Sequence, residues 1–186
     1  MPPEKQPMAL KSLDNLFVHF LRDMYHAEKQ ALRQMRMLAR KTDNEELKEL
    51  LETHREETEG QIERLEKVFD HLDMRARGST CEAIVGIHEE AKEILEEAAD
   101  EATRNAGIVA SLQAVEHYEI ARYGTMVEWA KSLGHDEAAK LFEETLAEEK
   151  ATDAKLSKVA RKHINEMAKS RSREDAGKGG NGRKAA

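Results

Sequence analysis

Proline is confined to the first seven residues of this 186-residue chain, and this distribution constrains the fold more than any other feature. Because all 3 prolines precede Ser12, the rest of the backbone can form long helices without an interior break. Charged residues make up 36% of the chain and aromatic residues only 4%, which suits amphipathic helices better than sheets. We therefore predict an all-α domain, long enough to bury one substantial core.

Apolar residues recur with a helical period in four long stretches and one short one. Ser12 is the predicted N-cap of the first helix and Gly134 the predicted C-cap of the third long helix. The predicted spans are about 12–41, 45–71, a short crossover at 81–98, a third long helix ending near 133, and a fourth starting at 136. Residues 100–105 are either continuous with the third long helix or a short kink into it. The tight turns make each pair of long helices antiparallel neighbours.

A faint internal repeat relates the two helical hairpins. The segment Met24–Glu28 aligns with Val115–Glu119 through a common His and a common Glu. In the second helix of each hairpin, Leu50 aligns with Leu141 in the same way, and each helix pair keeps one constant offset. Two related hairpins joined by a crossover predict a ferritin-like four-helix bundle with an additional short crossover helix.

The two ends of the chain differ in composition from the helical region. We predict a flexible N-terminal lead at 1–11, a ferritin-like bundle domain at 12–168 and a disordered basic tail at 169–186. The lead lacks the apolar segment of a secretory signal, and no apolar run of about 18 residues could span a membrane. A single cysteine, Cys81, predicted to be a packing residue, fits a reducing compartment, so the expected location is the cytoplasm. The net charge of -7 argues against nucleic acid as the main partner.

Glu116 and Glu119 are one turn apart on the apolar face of the third long helix. A carboxylate in such a place is costly unless it is paired, hydrogen-bonded or bound to a metal. Antiparallel registration of the hairpins gives each acid a partner at the same level. The expected pairs are Glu28 with Glu57, Glu119 with Glu149, and Glu116 with Asp153, so that six carboxylates converge if the hairpins pack at one level.

Six bare negative charges cannot stay in the apolar centre of a bundle. Either several are protonated, or cations neutralise them, as two ions about 3.5–4 Å apart and bridged by carboxylates would do. An oxygen-rich donor set favours iron or manganese over zinc. The alternative for any one of these acids is a solvated residue at the flank of the apolar stripe. Glu148 competes with Glu149, because a helix rotation by one residue decides between them.

The histidines do not follow the Glu-x-x-His pattern of di-iron bundles. His54 stands three residues before Glu57, and Gln61 stands one turn after it. Either side chain is a candidate ligand or a hydrogen-bond partner of a carboxylate, and His54 is equally a candidate core histidine. His26 and His117 are predicted to have structural or supporting roles. Three tyrosines lie within a turn of the candidate ligands, and core packing is favoured for at least two of them: Tyr25, Tyr118 and Tyr123.

Several blocks of the sequence resemble the YciE/YciF family of ferritin-like proteins. They are Asp23–Gln30, His54–Thr58 with Gln61, Leu112–Glu119, and Thr145–Asp153. The likeness covers about Ser12 to Ala168. It implies a helical, homodimeric, ferritin-like protein with a di-metal centre, associated in bacteria with stress responses. It does not imply a defined reaction.

These observations together predict a di-metal carboxylate protein of the bacterial stress response. We expect two metal ions per chain, iron first and manganese as the alternative, and a small oxidant, O2 or peroxide, as reaction partner. Oxidation of Fe(II) or consumption of the oxidant is the expected chemistry, although whether the protein is an enzyme stays open. The predicted ligands are Glu28 and Glu149 as terminal ligands, Glu57 and Glu119 as bridges, and Glu116, Asp153 and His54. The alternative is a non-enzymatic helical stress protein that associates with other proteins and keeps a structural or vestigial metal site.

Overall fold

The computed structural model describes residues 10–170, and within that range it contains helices and no strand. The helices are α1 (Leu13–Ala39), α2 (Glu45–His71), α3 (Glu82–Glu97), α4 (Glu101–Ser132) and α5 (Asp136–Val159), and a π-helical turn (Ala160–Ile164) continues α5. The prediction of an all-α, ferritin-like bundle is confirmed. The predicted flexible lead and basic tail fall almost entirely outside the described residues.

The four long helices pack around a common centre in the order α1, α2, α5, α4. Helix α1 contacts α2 and α4, while α5 contacts the same two helices from the opposite corner. The short helix α3 lies across the outside of α1 and α4 and connects the two hairpins. This arrangement directs one face of every long helix to a single interior.

Side-chain caps define where three of the helices begin. Ser12, Asn44 and Asp100 accept hydrogen bonds from backbone N–H groups in the first turns of α1, α2 and α4. The backbone is extended at Ala98 and Asp100, so α3 and α4 are separate helices and residues 101–105 belong to α4. Of the two alternatives predicted for residues 100–105, continuity with the third long helix is therefore the observed one.

The link between α2 and α3 is held against α1 by backbone contacts. Ser79 N–H donates to the Arg22 carbonyl at 3.1 Å, and Cys81 N–H donates to Nδ1 of His26 at 3.2 Å. A Cβ at Gly78 would lie only 3.1 Å from Cβ of His26, so glycine permits this close approach. These contacts fix how the second hairpin is placed against the first.

The core between the long helices is apolar at both ends and polar in the middle. The buried hydrophobic side chains include Phe17, Leu21, Met24, Leu51, Leu65, Phe69, Tyr123, Phe142 and Leu156. Between these two apolar layers lies a group of buried glutamates. No helix within residues 10–170 is both long and apolar enough to cross a membrane.

Candidate metal centre

Four glutamates from three helices are buried at the centre of the bundle. Glu28 comes from α1, Glu116 and Glu119 from α4, and Glu149 from α5, and none is more than 1% exposed. Glu116 and Glu119 both point inward because residues three apart share a helix face. Their burial excludes the interpretation of these four as solvated flank residues.

The remaining long helix, α2, contributes a histidine to the same group. His54 of α2 is 3% exposed, and its Nε2 lies 2.9 Å from Oε1 of Glu116 and 3.9 Å from Oε2 of Glu149. One donor atom from each of His54, Glu116, Glu119 and Glu149 lies within 4.8 Å of all the others. This spacing is close enough for the four residues to share one cation.

Many oxygens of the cluster have no hydrogen-bond partner. They are Oε2 of Glu28, both oxygens of Glu116, Oε1 of Glu119 and Oε2 of Glu149. The contact of Glu116 with the His54 ring is an ion pair when the imidazole is protonated. Because buried polar atoms in native proteins are nearly always satisfied, so many unpaired acceptors in one place indicate either shared protons or a bound cation.

Burial changes the protonation of these acids. Desolvation raises the pKa of Glu28 to about 7, against the weaker opposing effect of its hydrogen bond from Tyr123. The pKa values of Glu119 and Glu149 are also raised well above the ordinary value, first by burial and then by the neighbouring carboxylates. The group therefore holds either several protons or an equivalent positive charge.

For His54, the surroundings favour the charged form of the side chain. Burial lowers the pKa of His54, but contacts with the Glu116 and Glu57 carboxylates outweigh that effect and raise it well above the ordinary value. The same contact from His54 lowers the pKa of Glu57, which is only partly buried. An imidazolium balances only one of the negative charges in the cluster.

Two hydrogen bonds orient the carboxylates. The Tyr123 hydroxyl donates to Oε1 of Glu28 at 2.5 Å, and Nε2 of Gln61 donates to Oε1 of Glu149. Each bond occupies one oxygen of its acid, and the other oxygen has no hydrogen-bond partner. Tyr123 and Gln61 are thus hydrogen-bond donors to the candidate ligands Glu28 and Glu149.

The ambiguity between Glu148 and Glu149 is resolved by the rotation of α5. Glu149 is fully buried, whereas Glu148 lies on the side toward α2, with its side chain 27% exposed and paired with Arg64. Glu148 is therefore a partner of cations at the surface of the α2–α5 interface. Glu149 is the acid that reaches the centre.

Two of the predicted ligands lie at the edge of the centre. Glu57 is partly exposed, with one oxygen 3.4 Å from Nδ1 of His54 and 3.2 Å from the Thr152 hydroxyl. Asp153 instead contacts Nε2 of Gln113 at 3.0 Å and Nε2 of His117 at 3.2 Å. Glu116 therefore has His54 as its neighbour, in the place for which the sequence predicted Asp153. Asp153 lies one turn after Glu149, on the flank of α5 that faces α4.

The remaining candidates lie outside the cluster. His26 contacts Gln30 and the Cys81 backbone, and His117 is largely exposed. Tyr25 bonds to Glu66 and Lys29, while Tyr118 bonds to Asp23 and to the Cys81 thiol. All these side chains have structural partners of their own.

Sequence reasoning did not find the polar residues that surround the cluster. Arg64, 8% exposed, contacts Thr145, Glu144 and Glu148 across the α2–α5 interface. Thr152 and Gln113 are also absent from the prediction. The internal repeat contained a signal for Arg64, because the offset that maps Leu50 onto Leu141 maps it onto Lys155, another cation.

The donor set fits a metal centre rich in oxygen ligands. Four buried carboxylates, one imidazole and one carboxylate at the rim surround the orphaned oxygens. Carboxylate-rich sites with little nitrogen suit iron and manganese, and two such ions would match the negative charge. The residues that would hold them are Glu28, His54, Glu57, Glu116, Glu119 and Glu149.

Comparison with known proteins places this chain among described relatives. The sequence profile of DUF892, a domain of unknown function, matches residues 12–169. Protein YciF of Escherichia coli (strain K12) is 44% identical over 165 residues, which cover 88% of this chain and 99% of that protein.

Three solved structures are similar to this chain in fold and in sequence. The crystal structure of the E. coli stress protein YciF matches with a TM-score of 0.80 and 44% identity, over 84% of this chain and 99% of that one. A protein of Rhodopseudomonas palustris, YcfI, described as a putative structural protein, matches with a TM-score of 0.80 and 43% identity, over 82% and 97%. A protein of Xanthomonas campestris pv. campestris matches with a TM-score of 0.65 and 26% identity, over 89% and 99%.

Proposed function

The chain belongs to the DUF892 family, and its similarity to YciF confirms the predicted resemblance. We propose that it is a di-metal carboxylate protein. The centre binds two metal ions per chain, iron in preference and manganese as the alternative. Its role is protection in the bacterial stress response, through oxidation of Fe(II) or consumption of O2 or peroxide. Like the relative described as a stress protein, it acts in bacteria, and we expect a cytoplasmic homodimer.

One observation carries the proposal: the five carboxylate oxygens without a hydrogen-bond partner in a fully buried group. Protons alone would neutralise these acids, but they would not explain why the donor atoms of four residues converge within 4.8 Å. Two divalent cations would balance the charge of the four buried carboxylates and give the orphaned oxygens partners.

The ligand set that we propose keeps the predicted residues that are buried at the centre or lie at its rim. In it, Glu28 and Glu149 would be terminal ligands, Glu119 would bridge, Glu116 and His54 would be the remaining donors, and Glu57 would be a ligand at the rim. Asp153, predicted to complete the set, is assigned a supporting place through its contacts with Gln113 and His117. These assignments are the part of the proposal that mutation tests most directly.

When bound, the metal pair supplies one-electron redox chemistry between the ferrous and ferric states. This would provide the two electrons that reduction of one peroxide to two waters needs, with two protons taken up. The chain holds the acids in place for this chemistry. The Tyr123 hydroxyl fixes one oxygen of Glu28, Gln61 fixes one oxygen of Glu149, and the apolar layers above and below exclude bulk water.

The test of the site is metal analysis of the purified, full-length protein after incubation with Fe(II) or Mn(II). We expect about two ions per chain in the wild type and loss of most of that metal in Glu119→Ala, since removing a bridging carboxylate weakens both positions. Glu143→Ala, which removes an exposed acid paired with Lys131, is the matched control and should keep full metal content. Undiminished metal in Glu119→Ala would refute the site assignment.

One observation favours a second function. YcfI, as similar in sequence and fold as YciF itself, is described as a putative structural protein. In this alternative the bundle acts by association with other proteins, and its metals are structural. Fe(II) oxidation and peroxide consumption by the metal-bound protein discriminate between the two, because absence of turnover with both iron and manganese would favour the structural role.

A further inference from the structure

The internal repeat extends to the charged residues where α2 meets α5. The offset that relates the two hairpins maps Glu57 onto Glu148, Gln61 onto Thr152 and Arg64 onto Lys155. In the structure, Glu148 is bound by Gln61 and Arg64 of α2, and Glu57 is bound by Thr152 and Lys155 of α5. The interface therefore has two equivalent sides, each with an acid, a cation and a polar residue from the opposite helix.

The side formed by Arg64, Gln61 and Glu148 is closed. The guanidinium of Arg64 donates to Glu144 and to Thr145, both at 2.9 Å, and also contacts Glu148. Gln61 is fully buried and covers Glu149 from this direction. A planar, multiply bonded guanidinium is held rigidly, so this side seals the buried acids from solvent.

The side formed by Lys155, Thr152 and Glu57 is open. Lys155 is about half exposed and has a single ion pair, 3.5 Å long, with Glu57. Thr152 is much smaller than its counterpart Gln61, and an open cavity of about 280 Å³ occupies this region. The cavity reaches from Glu46 and Glu49 at the surface to His54, which belongs to the buried cluster.

We propose that this cavity, the open α2–α5 groove, is the route by which divalent cations reach the buried centre. The inference rests on the proposed function, because it assumes that the buried acids hold metal. Glu57 receives the ion at the rim, in exchange for Lys155, and passes it to His54 and the acids beneath. An exposed lysine with one long ion pair is displaced at little cost, whereas Arg64 on the equivalent side is not.

The test compares rates of metal uptake and release in the full-length protein. Binding of Co(II), followed by its visible absorbance, gives the uptake rate, and transfer to EDTA gives the release rate. The variant Thr152→Gln/Lys155→Arg gives the open side the same residue types, glutamine and arginine, as the closed side. We expect uptake and release to fall together by about tenfold or more, because a route affects the barrier in both directions, whereas loss of Glu57 as a ligand would speed release.

A second pair of variants guards against misfolding of the first. Lys155→Ala, at an exposed position, removes the competing cation and should speed uptake by about threefold. Lys140→Ala, which removes another exposed lysine of α5 with its own glutamate partner, is the matched control and should leave the rate unchanged.

The outcomes separate this inference from the proposed function. Rates in Thr152→Gln/Lys155→Arg and in Lys155→Ala equal to the wild-type rates would overturn the route while leaving the metal centre intact. Absence of Co(II) binding by the wild type at equilibrium would overturn the proposed function, and the route with it.

Discussion

At the scale of single residues, a binding site is indicated by which carboxylate oxygens have hydrogen-bond partners and which do not. Tyr123 and Gln61 satisfy one oxygen each of Glu28 and Glu149, yet the second oxygen of each acid is left without a hydrogen bond. An arrangement built only for stability would pair both oxygens or replace the acids by apolar side chains. The half-satisfied carboxylates are the residue-level sign of a binding site.

His88 provides a pH-dependent test outside the metal centre. Burial on α3, with a smaller effect from His26, lowers its pKa to about 4, and its Nε2 has no hydrogen-bond partner. Between that value and the ordinary value of about 6.5, the unfolded chain binds a proton that the folded chain does not. The contribution of His88 to stability is thus present above about pH 6.5 and is lost as the pH falls toward 4.

We expect His88→Gln to reduce the loss of stability on acidification. Between pH 7 and pH 5 the wild type should lose about 1 kcal/mol more of its unfolding free energy than the variant, a figure reduced from the full linkage value because the ring is partly exposed. Urea unfolding at a series of pH values measures the difference. Curves for the two proteins that stay parallel across this range would contradict the prediction.

At the scale of elements, helix ends decide where the hairpins turn. Helix α4 ends with the His135 N–H bonded to the Ala130 carbonyl and the Gly134 N–H bonded to the Lys131 carbonyl, a Schellman motif. Gly134 has a φ of 77°, in the left-handed region that side chains disfavour. The same pair of bonds ends α2, where Asp73 occupies the left-handed position with a φ of 51°.

Two glycines of the second hairpin should respond oppositely to alanine. Gly134→Ala forces a Cβ into left-handed backbone and should lower the unfolding free energy by about 1 kcal/mol. Gly124→Ala, in the interior of α4 with open space around the new Cβ, should raise it by about 0.5–1 kcal/mol through helix propensity. Thermal or urea unfolding measures both, and a shift of the same sign in the two variants would show that the turn conformation is not the determinant.

At the scale of the whole molecule, the bundle is organised around a polar layer that opposes folding when it is empty of cations. Burying several carboxylates in an apolar interior is unfavourable, and a ligand that binds only the folded state stabilises it. The apolar layers on both sides hold the acids together despite their repulsion. Metal binding at the proposed centre would therefore be linked to fold stability.

Metal removal should lower the thermal stability of the protein. At a free Fe(II) or Mn(II) concentration about 100 times the Kd, each of the two ions contributes about 2.7 kcal/mol. Together they contribute about 5.4 kcal/mol, which for a domain of this size raises Tm by roughly 10–20 °C over the EDTA-treated protein. Calorimetry with and without the metal checks this. In Glu119→Gln the metal-dependent shift should disappear, while the metal-free variant should melt above metal-free wild type, since one buried acid is gone. Equal Tm values for treated and untreated wild type would contradict the linkage.

The sequence by itself determined the helices and most of the inward-facing acids. Local rules were sufficient for that: proline distribution, helical period, caps such as Ser12, and the one-turn spacing of Glu116 and Glu119. Registration across the second turn also placed Glu119 and Glu149 at one level, and both are buried, as is Glu28 of the first hairpin.

Only the tertiary structure decided which donor meets which. The neighbour of Glu116 is His54 on α2, because packing of the two hairpins places α2 and α4 diagonally across the bundle centre, a contact between residues far apart in the sequence. The rotation of α5 directs Glu149 inward and Glu148 toward Arg64, while Asp153 stays at the flank. A rotation of one residue costs little in helix periodicity but changes every side-chain partner, so packing between helices, and not the pattern within one, selects the members of the site.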